Sequence, residues 1–272
     1  MASACSDSPP INNVSTTFCV RTEGRPDSAI QAFSAAPGRP LTARPLRADF
    51  LPLWHRAPVK ALTDHELREV SRVTLADYES RADSFWRGTR HHDVSQNIDA
   101  LLANLPGVPP HDILDLGCGP GRDLAALREL GHAPIGLDGC ESFVATAREQ
   151  SGCEVWVQDL LALDLPEQRF DGVFANATLF HVPRQEIERV LAELRACLRP
   201  GGVLFSSNPR GSNQEGFYGD RFACYHDFDG WRARALAAGF EEIDHYYRPP
   251  GKPRAEQPWL ASLWRNPAAT GV

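Results

Sequence analysis

The stretch Ile113-Leu-Asp-Leu-Gly-Cys-Gly-Pro-Gly-Arg-Asp-Leu124 decides the reading of this chain. Its first four residues form an apolar-rich run of strand length. The glycines at 117, 119 and 121 let the backbone turn tightly and bring N–H groups close to a ligand. A helical pattern begins at about Arg122, and its unpaired N–H groups would face the same place. A dinucleotide loop of the Gly-x-Gly-x-x-Gly type would need glycine at 122, where this chain has Arg122. A Walker loop would need Gly-Lys-Ser/Thr, which the stretch lacks. The loop is glycine-rich without being either common phosphate cradle.

Outward from this loop, short apolar runs alternate with helical stretches. The runs are 113–116, 134–137, 154–157, 172–175, 203–207, 243–247 and 260–264, and helical patterns cover 123–130, 142–150, 184–198 and 230–238. Such alternation predicts an α/β domain with a mostly parallel seven-stranded sheet covered by helices on both faces. The last two runs have no helix between them, which predicts an antiparallel final strand. In sheets of this kind, ligands sit beyond the carboxyl ends of the strands. Upstream, Thr63 with Glu66 fits a helix capping box. Tyr78, Ala82, Phe85 and Trp86 share a helical face, and a third pattern runs from Asn97 to Leu105. Together they form a helical prelude over 61–110.

The acids supply the second half of the site. Asp138 ends the second run and Asp159 the third. Carboxylates at successive strand ends suit ribose hydroxyls, an adenine amine and a cation, and would repel a pyrophosphate. The implied ligand is a nucleoside carrying positive charge.

On these residues the chain resembles the class I S-adenosylmethionine-dependent methyltransferases over roughly residues 70–264, with their Rossmann-like fold. The glycine loop resembles the family's first motif. Asp138 is similar to its ribose-binding acid, and Asp159-Leu160 to its adenine-recognising pair. Phe170-Asp-Gly-Val-Phe-Ala-Asn176 resembles the fourth-strand motif, and Leu198-Arg-Pro-Gly-Gly-Val-Leu204 the turn before strand five. The resemblance implies S-adenosylmethionine as cofactor, S-adenosylhomocysteine as product and no metal. It implies that Gly117, Cys118, Gly119 and Gly121 line the methionine portion, while Asp115 orients the loop or meets the amino group. Asp138 would take the ribose, Asp159 and Leu160 the adenine, and Asn176 with Ala177 would flank the methyl group. Tyr78, Phe85 and Trp86 would close over the cofactor.

Methyl transfer needs a general base only if the acceptor is protonated at working pH. His181, just after strand four, is the first candidate base, with a structural or cofactor-side role as the alternative. His226 is the second, or else it begins the next helix with Asp227. The segment 208–227 is expected to be a long loop at the ligand face, with Arg210 available to an acidic acceptor and Tyr218 and Tyr225 walling an apolar pocket. His91-His92-Asp93 is not expected to bind metal, because adjacent histidines face different ways. Trp259 and Trp264 are expected in the core.

Composition bounds the rest. The 272 residues are 42% hydrophobic and 23% charged, ordinary for a soluble domain with a sizeable core. No apolar run is long enough to span a membrane. The net charge of −7 argues against a general nucleic-acid surface. Residues 1–60 hold eight of the 22 prolines and carry a net +3, so they are expected to be a disordered leader, with a targeting segment or an upstream start as alternatives. Seven widely spaced cysteines with no Cys-x-x-Cys suggest reduced thiols and a cytoplasmic protein; an organelle is the alternative if the leader targets. The leading function is a small-molecule methyltransferase acting on an O, N or S acceptor. The alternatives are a protein or RNA acceptor, a non-catalytic cofactor-binding protein, and a nucleotide-dependent dehydrogenase, which Arg122 opposes. The oligomeric state is left open.

Overall fold

The computed structural model describes residues 61–268; the expectations for the leader, including Cys5 and Cys19, lie outside the described residues. The Thr63 capping box forms: its hydroxyl accepts from the Glu66 N–H and the Glu66 carboxylate accepts from the Thr63 N–H. It starts α1 (Asp64–Ser80), followed by α2 (Ala82–Thr89) and α3 (Ser95–Leu102). The alternating part then runs β1 (Asp112–Leu116), α4 (Arg122–Glu129), β2 (Ala133–Asp138), α5 (Glu141–Ser151), β3 (Val155–Val157) and β4 (Phe170–Asn176). It continues with α6 (Ile187–Cys197), β5 (Leu198–Pro209), a hairpin of β6 (Gln214–Tyr218) and β7 (Arg221–Tyr225), α7 (Phe228–Ala237), β8 (Glu241–Arg248) and β9 (Trp259–Arg265).

Seven strands form one sheet in the order β3-β2-β1-β4-β5-β9-β8, with β9 antiparallel to both its neighbours. This is the architecture the alternation predicted. The apolar runs look continuous because both sheet faces are covered. Leu114, Val173 and Leu204 face α6 and α7, while Ile113, Phe174 and Val203 face α3 and α4. Trp264 is fully buried with its indole N–H on Ser262 Oγ, and Trp231 donates to the same hydroxyl.

Register sets the site. Asp138 pairs with Val157 across β2 and β3, Leu116 with Leu137 across β1 and β2, and Asn176 with Ser207 across β4 and β5. The carboxyl ends of five parallel strands therefore reach one edge, and the glycine loop turns over it.

The segment 208–227 is a correction. It is not a long loop: β5 extends to Pro209, and β6 and β7 pair through a two-residue Gly219-Asp220 turn with Gly219 at φ +68°. A Gly-x pair between aromatic runs is the sequence signature of such a turn. The alternation also fits, since Phe217, Phe222 and Cys224 face Val70 of α1. That apolar face, hidden by Gln214 and Glu215 at the start of β6, is what pulls the segment into a hairpin.

Candidate functional site

One cavity of about 320 Å³, within the usual range for small-molecule sites, lies beyond the carboxyl edge of the sheet. Its floor is the glycine loop. At Gly117 (φ +68°), an added Cβ would stand 1.9 Å from the Thr178 hydroxyl, so only glycine lets the loop pass the end of β4. At Gly119 a Cβ would meet only Phe85, at 3.9 Å, and would project into free space. The Gly119 N–H donates to Asp138 Oδ2, and the Cys140 N–H to Asp138 Oδ1. Burial nonetheless pushes the Asp138 carboxyl up to about 6, because few partners replace the lost water.

The roof is α1. Ser71, Thr74, Leu75 and Tyr78 recur at helical spacing and line the cavity. The Ser71 hydroxyl donates to Asp159 Oδ1 at 2.8 Å, tying the roof to the acid at the end of β3. The hairpin holds α1 from behind. The Phe222 N–H donates to Thr74 Oγ1, Arg221 pairs with the buried Asp77, and its guanidinium lies 4.9 Å from the Tyr78 ring centre.

His181 lines the cavity, yet both its nitrogens are engaged. Nδ1 is 2.6 Å from the Phe222 carbonyl and Nε2 is 2.8 Å from the Tyr78 hydroxyl. The carbonyl can only accept, so Nδ1 carries the hydrogen. Burial lowers the pKa of the ring to about 4, which keeps it neutral, and Nε2 therefore accepts from Tyr78. In this arrangement His181 links β4 to the hairpin and the roof.

The structure brings most of the expected cofactor residues together: Trp86, Gly117, Cys118, Gly119, Asp138, Asp159, Leu160 and Asn176 all line the cavity. Two do not line it. Gly121 (φ +91°) leaves room for Ala147, whose Cα would be 2.7 Å from an added Cβ, so its glycine serves the packing of α4 on α5. Asp115 is buried in β1 with Oδ2 unpartnered, and burial, reinforced by Asp123, raises its pKa well above the usual range.

The expected acceptor residues are placed elsewhere. His226 is buried beside Trp231, with Nε2 3.3 Å from Cys224 Sγ. Arg210 donates to the carbonyls of Arg254 and Gln257 and ties the end of β5 to the β8–β9 connection. The Tyr218 and Tyr225 rings pack 4.9 Å apart on the hairpin, off the cavity. The hairpin turns these side chains away because its other face must cover α1.

The cavity is instead lined, near the ends of the last two strands, by Arg248, Pro249 and Trp259, and also by His92. Trp259 is half-buried there, unlike Trp264, so its expected core placement is corrected. His91 is exposed and bonded by Arg90, while its neighbour His92 faces the cavity. Among the described residues no group of three or more His, Cys, Asp and Glu side chains could hold a metal ion. Behind Asn176 runs a buried polar chain. Tyr246 donates to Asn97, Asn97 to Asn176 and Asn176 to Asp123, which Arg122 grips with two nitrogens. Only the aromatic of β8 was beyond any local sequence signal here; Asn97 sits in an otherwise apolar helical pattern, which marks it.

A model of the family described as "Methyltransferase domain" matches residues 113–202. Malonyl-[acyl-carrier protein] O-methyltransferase of Enterobacter lignolyticus is 33% identical over 134 residues, 47% of this chain and 53% of that protein. Trans-aconitate 2-methyltransferase of an Azoarcus species is 36% identical over 112 residues, 40% and 44% of the two chains. The solved Burkholderia thailandensis 1,6-didemethyltoxoflavin-N1-methyltransferase, with S-adenosylhomocysteine and 1,6-didemethyltoxoflavin bound, is 25% identical with a TM-score of 0.60, covering 78% of this chain and 94% of that one. Residues 113–202 carry a methyltransferase domain, and the chain is similar to the class I S-adenosylmethionine-dependent methyltransferases. It spans about half the length of the curated relatives it matches.

The cavity fits the cofactor of those methyltransferases. Its polar groups include the acceptors Asp138 and Asp159, beside a glycine whose missing side chain leaves space and apolar walls from Leu137, Leu160 and Phe143. Acids without a free basic partner there suit hydroxyls, an amine and a sulfonium charge, and would repel a phosphate chain.

Proposed function

We propose that this protein transfers a methyl group from S-adenosylmethionine to a small-molecule acceptor. The observation that carries the reading is the continuity of one cavity. It runs from Asp138 and Asp159, past the glycine loop, to Asn176 and Ala177, and on to a compartment beside Arg248 and Trp259. In this reading Asp138 holds the ribose, Asp159 and Leu160 hold the adenine, and α1 excludes water from above. Bound there, the cofactor supplies an electrophilic methyl on a sulfonium. The protein then needs chiefly to hold an acceptor atom in line at near-contact distance. Asn176, fixed by Asn97 and Asp123, keeps the end of β4 rigid at that point. Ala177 sits there in the left-handed region at φ +62°, a strain that a functional site can hold.

The roofed compartment favours a compact acceptor over a polymer. The acceptors named for the similar proteins are a malonyl group on an acyl carrier, trans-aconitate and 1,6-didemethyltoxoflavin. Residues 61–268 would act as one catalytic unit, with the helical prelude as its roof. No described helix is long and apolar enough to cross a membrane, and a cytoplasmic site of action is part of the proposal. The test is label tracing: full-length protein and S-adenosylmethionine with a labelled methyl group, added to a cell extract that is then split by size. Label among small molecules is expected. Label confined to protein or nucleic acid would overturn the small-molecule reading.

A further inference from the structure

Among the described residues two arginines line the cavity, Arg122 and Arg248, and they differ in what they hold. Arg122 is spent: Nε and Nη2 donate to Asp123, at 2.6 and 2.9 Å, and Nη1 donates to the Thr89 carbonyl. Arg248, at the end of β8, has a buried Nε with no hydrogen-bond partner, and its Nη2 reaches only the Asp93 carbonyl, at 3.4 Å. No carboxylate lies within ion-pair distance of it among the described residues. A buried guanidinium N–H left unpaired is costly, and the planar fork matches a carboxylate bidentately.

His181 and Tyr78, both on the cavity wall, engage each other. His181 has no free nitrogen, and the Tyr78 hydroxyl donates its hydrogen bond to it. His92 also lines the cavity, and burial and then Arg122 lower its pKa. A hydroxyl or ammonium acceptor would need a base at the transfer point. A carboxylate would not, being ionised at neutral pH.

We propose that the acceptor is a carboxylate, held by the free donors of Arg248 in the compartment beside Trp259, and that the product is its methyl ester. The carboxylate that reacts and the one that Arg248 holds are the same group or two groups of one compound. A lone pair of the acceptor oxygen forms the new bond to carbon as the carbon–sulfur bond breaks, and that electron pair stays on sulfur. A negative carboxylate and a positive sulfonium become a neutral ester and a neutral thioether, and no proton moves.

This assignment rests on the methyltransferase reading, and the experiment separates the two. The small-molecule fraction of the labelled extract is treated with mild alkali, which releases a methyl ester as volatile labelled methanol and leaves N-, S- and ether methyl groups in place. Volatile label is expected. Alkali-stable label in that fraction would overturn the carboxylate assignment while leaving the methyltransferase intact. Absence of label from small molecules would remove the reading beneath it and the assignment with it. Binding is read apart from turnover by thermal melting of full-length protein saturated with S-adenosylhomocysteine. The probes are a panel of di- and tricarboxylates and carboxyl-terminated acyl thioesters, each beside its carboxamide. Stabilisation by a carboxylate and not by its amide is expected. Arg248→Gln should weaken that binding about tenfold or more, the scale of a charged hydrogen bond, and Arg248→Lys should recover part of it. Affinity for S-adenosylhomocysteine should stay unchanged in both, showing that the fold survives. Equal binding of carboxylates and amides, or an unaffected Arg248→Gln, would overturn the assignment.

Discussion

Replacing Gly117 by alanine should cost the fold, whereas the same change at Gly119 should cost the ligand. An alanine at 117 would keep φ near +68°, at about 1–2 kcal/mol for an L-residue in the left-handed region. Its Cβ would also lie 1.9 Å from Thr178 Oγ1 and 2.6 Å from Thr178 Cβ. Thr178 is buried at the end of β4 and has little room to retreat, so overpacking adds about 1–3 kcal/mol. The total of about 2–5 kcal/mol is a large fraction of a typical domain's stability. Gly119 shares the left-handed backbone but meets only Phe85, at 3.9 Å, so Gly119→Ala carries the conformational part alone, about 1–2 kcal/mol. Its methyl group would instead project into the cavity and weaken S-adenosylhomocysteine binding. Urea unfolding gives the two stabilities and calorimetric titration the affinities. In a double-mutant cycle, Thr178→Gly should recover about 1–3 kcal/mol of the Gly117→Ala loss. Equal destabilisation by the two alanines, or strict additivity with Thr178→Gly, would refute the reasoning.

Three further outcomes are expected. Asp77→Ala leaves Arg221 without its buried partner and loosens the brace behind α1, so urea unfolding should show a loss of about 1–3 kcal/mol; unchanged stability would show that the hairpin does not depend on this pair. Ser71→Ala removes the hydroxyl on Asp159 and should weaken S-adenosylhomocysteine binding by about 0.5–1.5 kcal/mol without lowering the melting temperature; unchanged affinity in the titration would detach the roof from the adenine site. Burial lowers the pKa of His181 and His226 to about 4 in the folded chain, against about 6.5 when free. The unfolded chain therefore takes up these protons first. The stability the pair contributes is complete above about pH 6.5 and is lost as pH falls toward about 4. Unfolding midpoints measured across that window should fall, and the double variant His181→Gln/His226→Gln should show a shallower slope; an identical slope would contradict the assignment.

The part of the cavity around Asp138 and Asp159 is legible in the sequence because its parts are local. Gly117, Gly119, Asp138 and Asp159 each close or follow a strand, and parallel register then brings the strand ends together. The part around Arg248 and Trp259 is not local. Arg248 and Trp259 flank a connection between the last two strands, and they reach the cavity only because β9 inserts antiparallel beside β5. Their own neighbours in sequence carry no sign of this. The aromatic residues at 217–225 suggested a pocket wall, but aromatic content does not distinguish a ligand wall from a packing face. The Gly219-Asp220 turn and the spacing of Phe217, Phe222 and Cys224 were the better signals, and they point to the back of α1. The place of His181 after β4 puts it on the cavity wall, yet its hydrogen bonds to Tyr78 and Phe222 depend on elements over 40 residues away in the chain.

The most direct test of the central claim, that this cavity is the S-adenosylmethionine site, is calorimetric titration of the full-length protein and of Asp138→Ala with S-adenosylhomocysteine. The wild-type chain should bind one equivalent, and the variant should lose about 1–3 kcal/mol of affinity, the cost of leaving buried ribose hydroxyls unpaired. Absence of saturable binding, or equal affinity in the two proteins, would contradict the account.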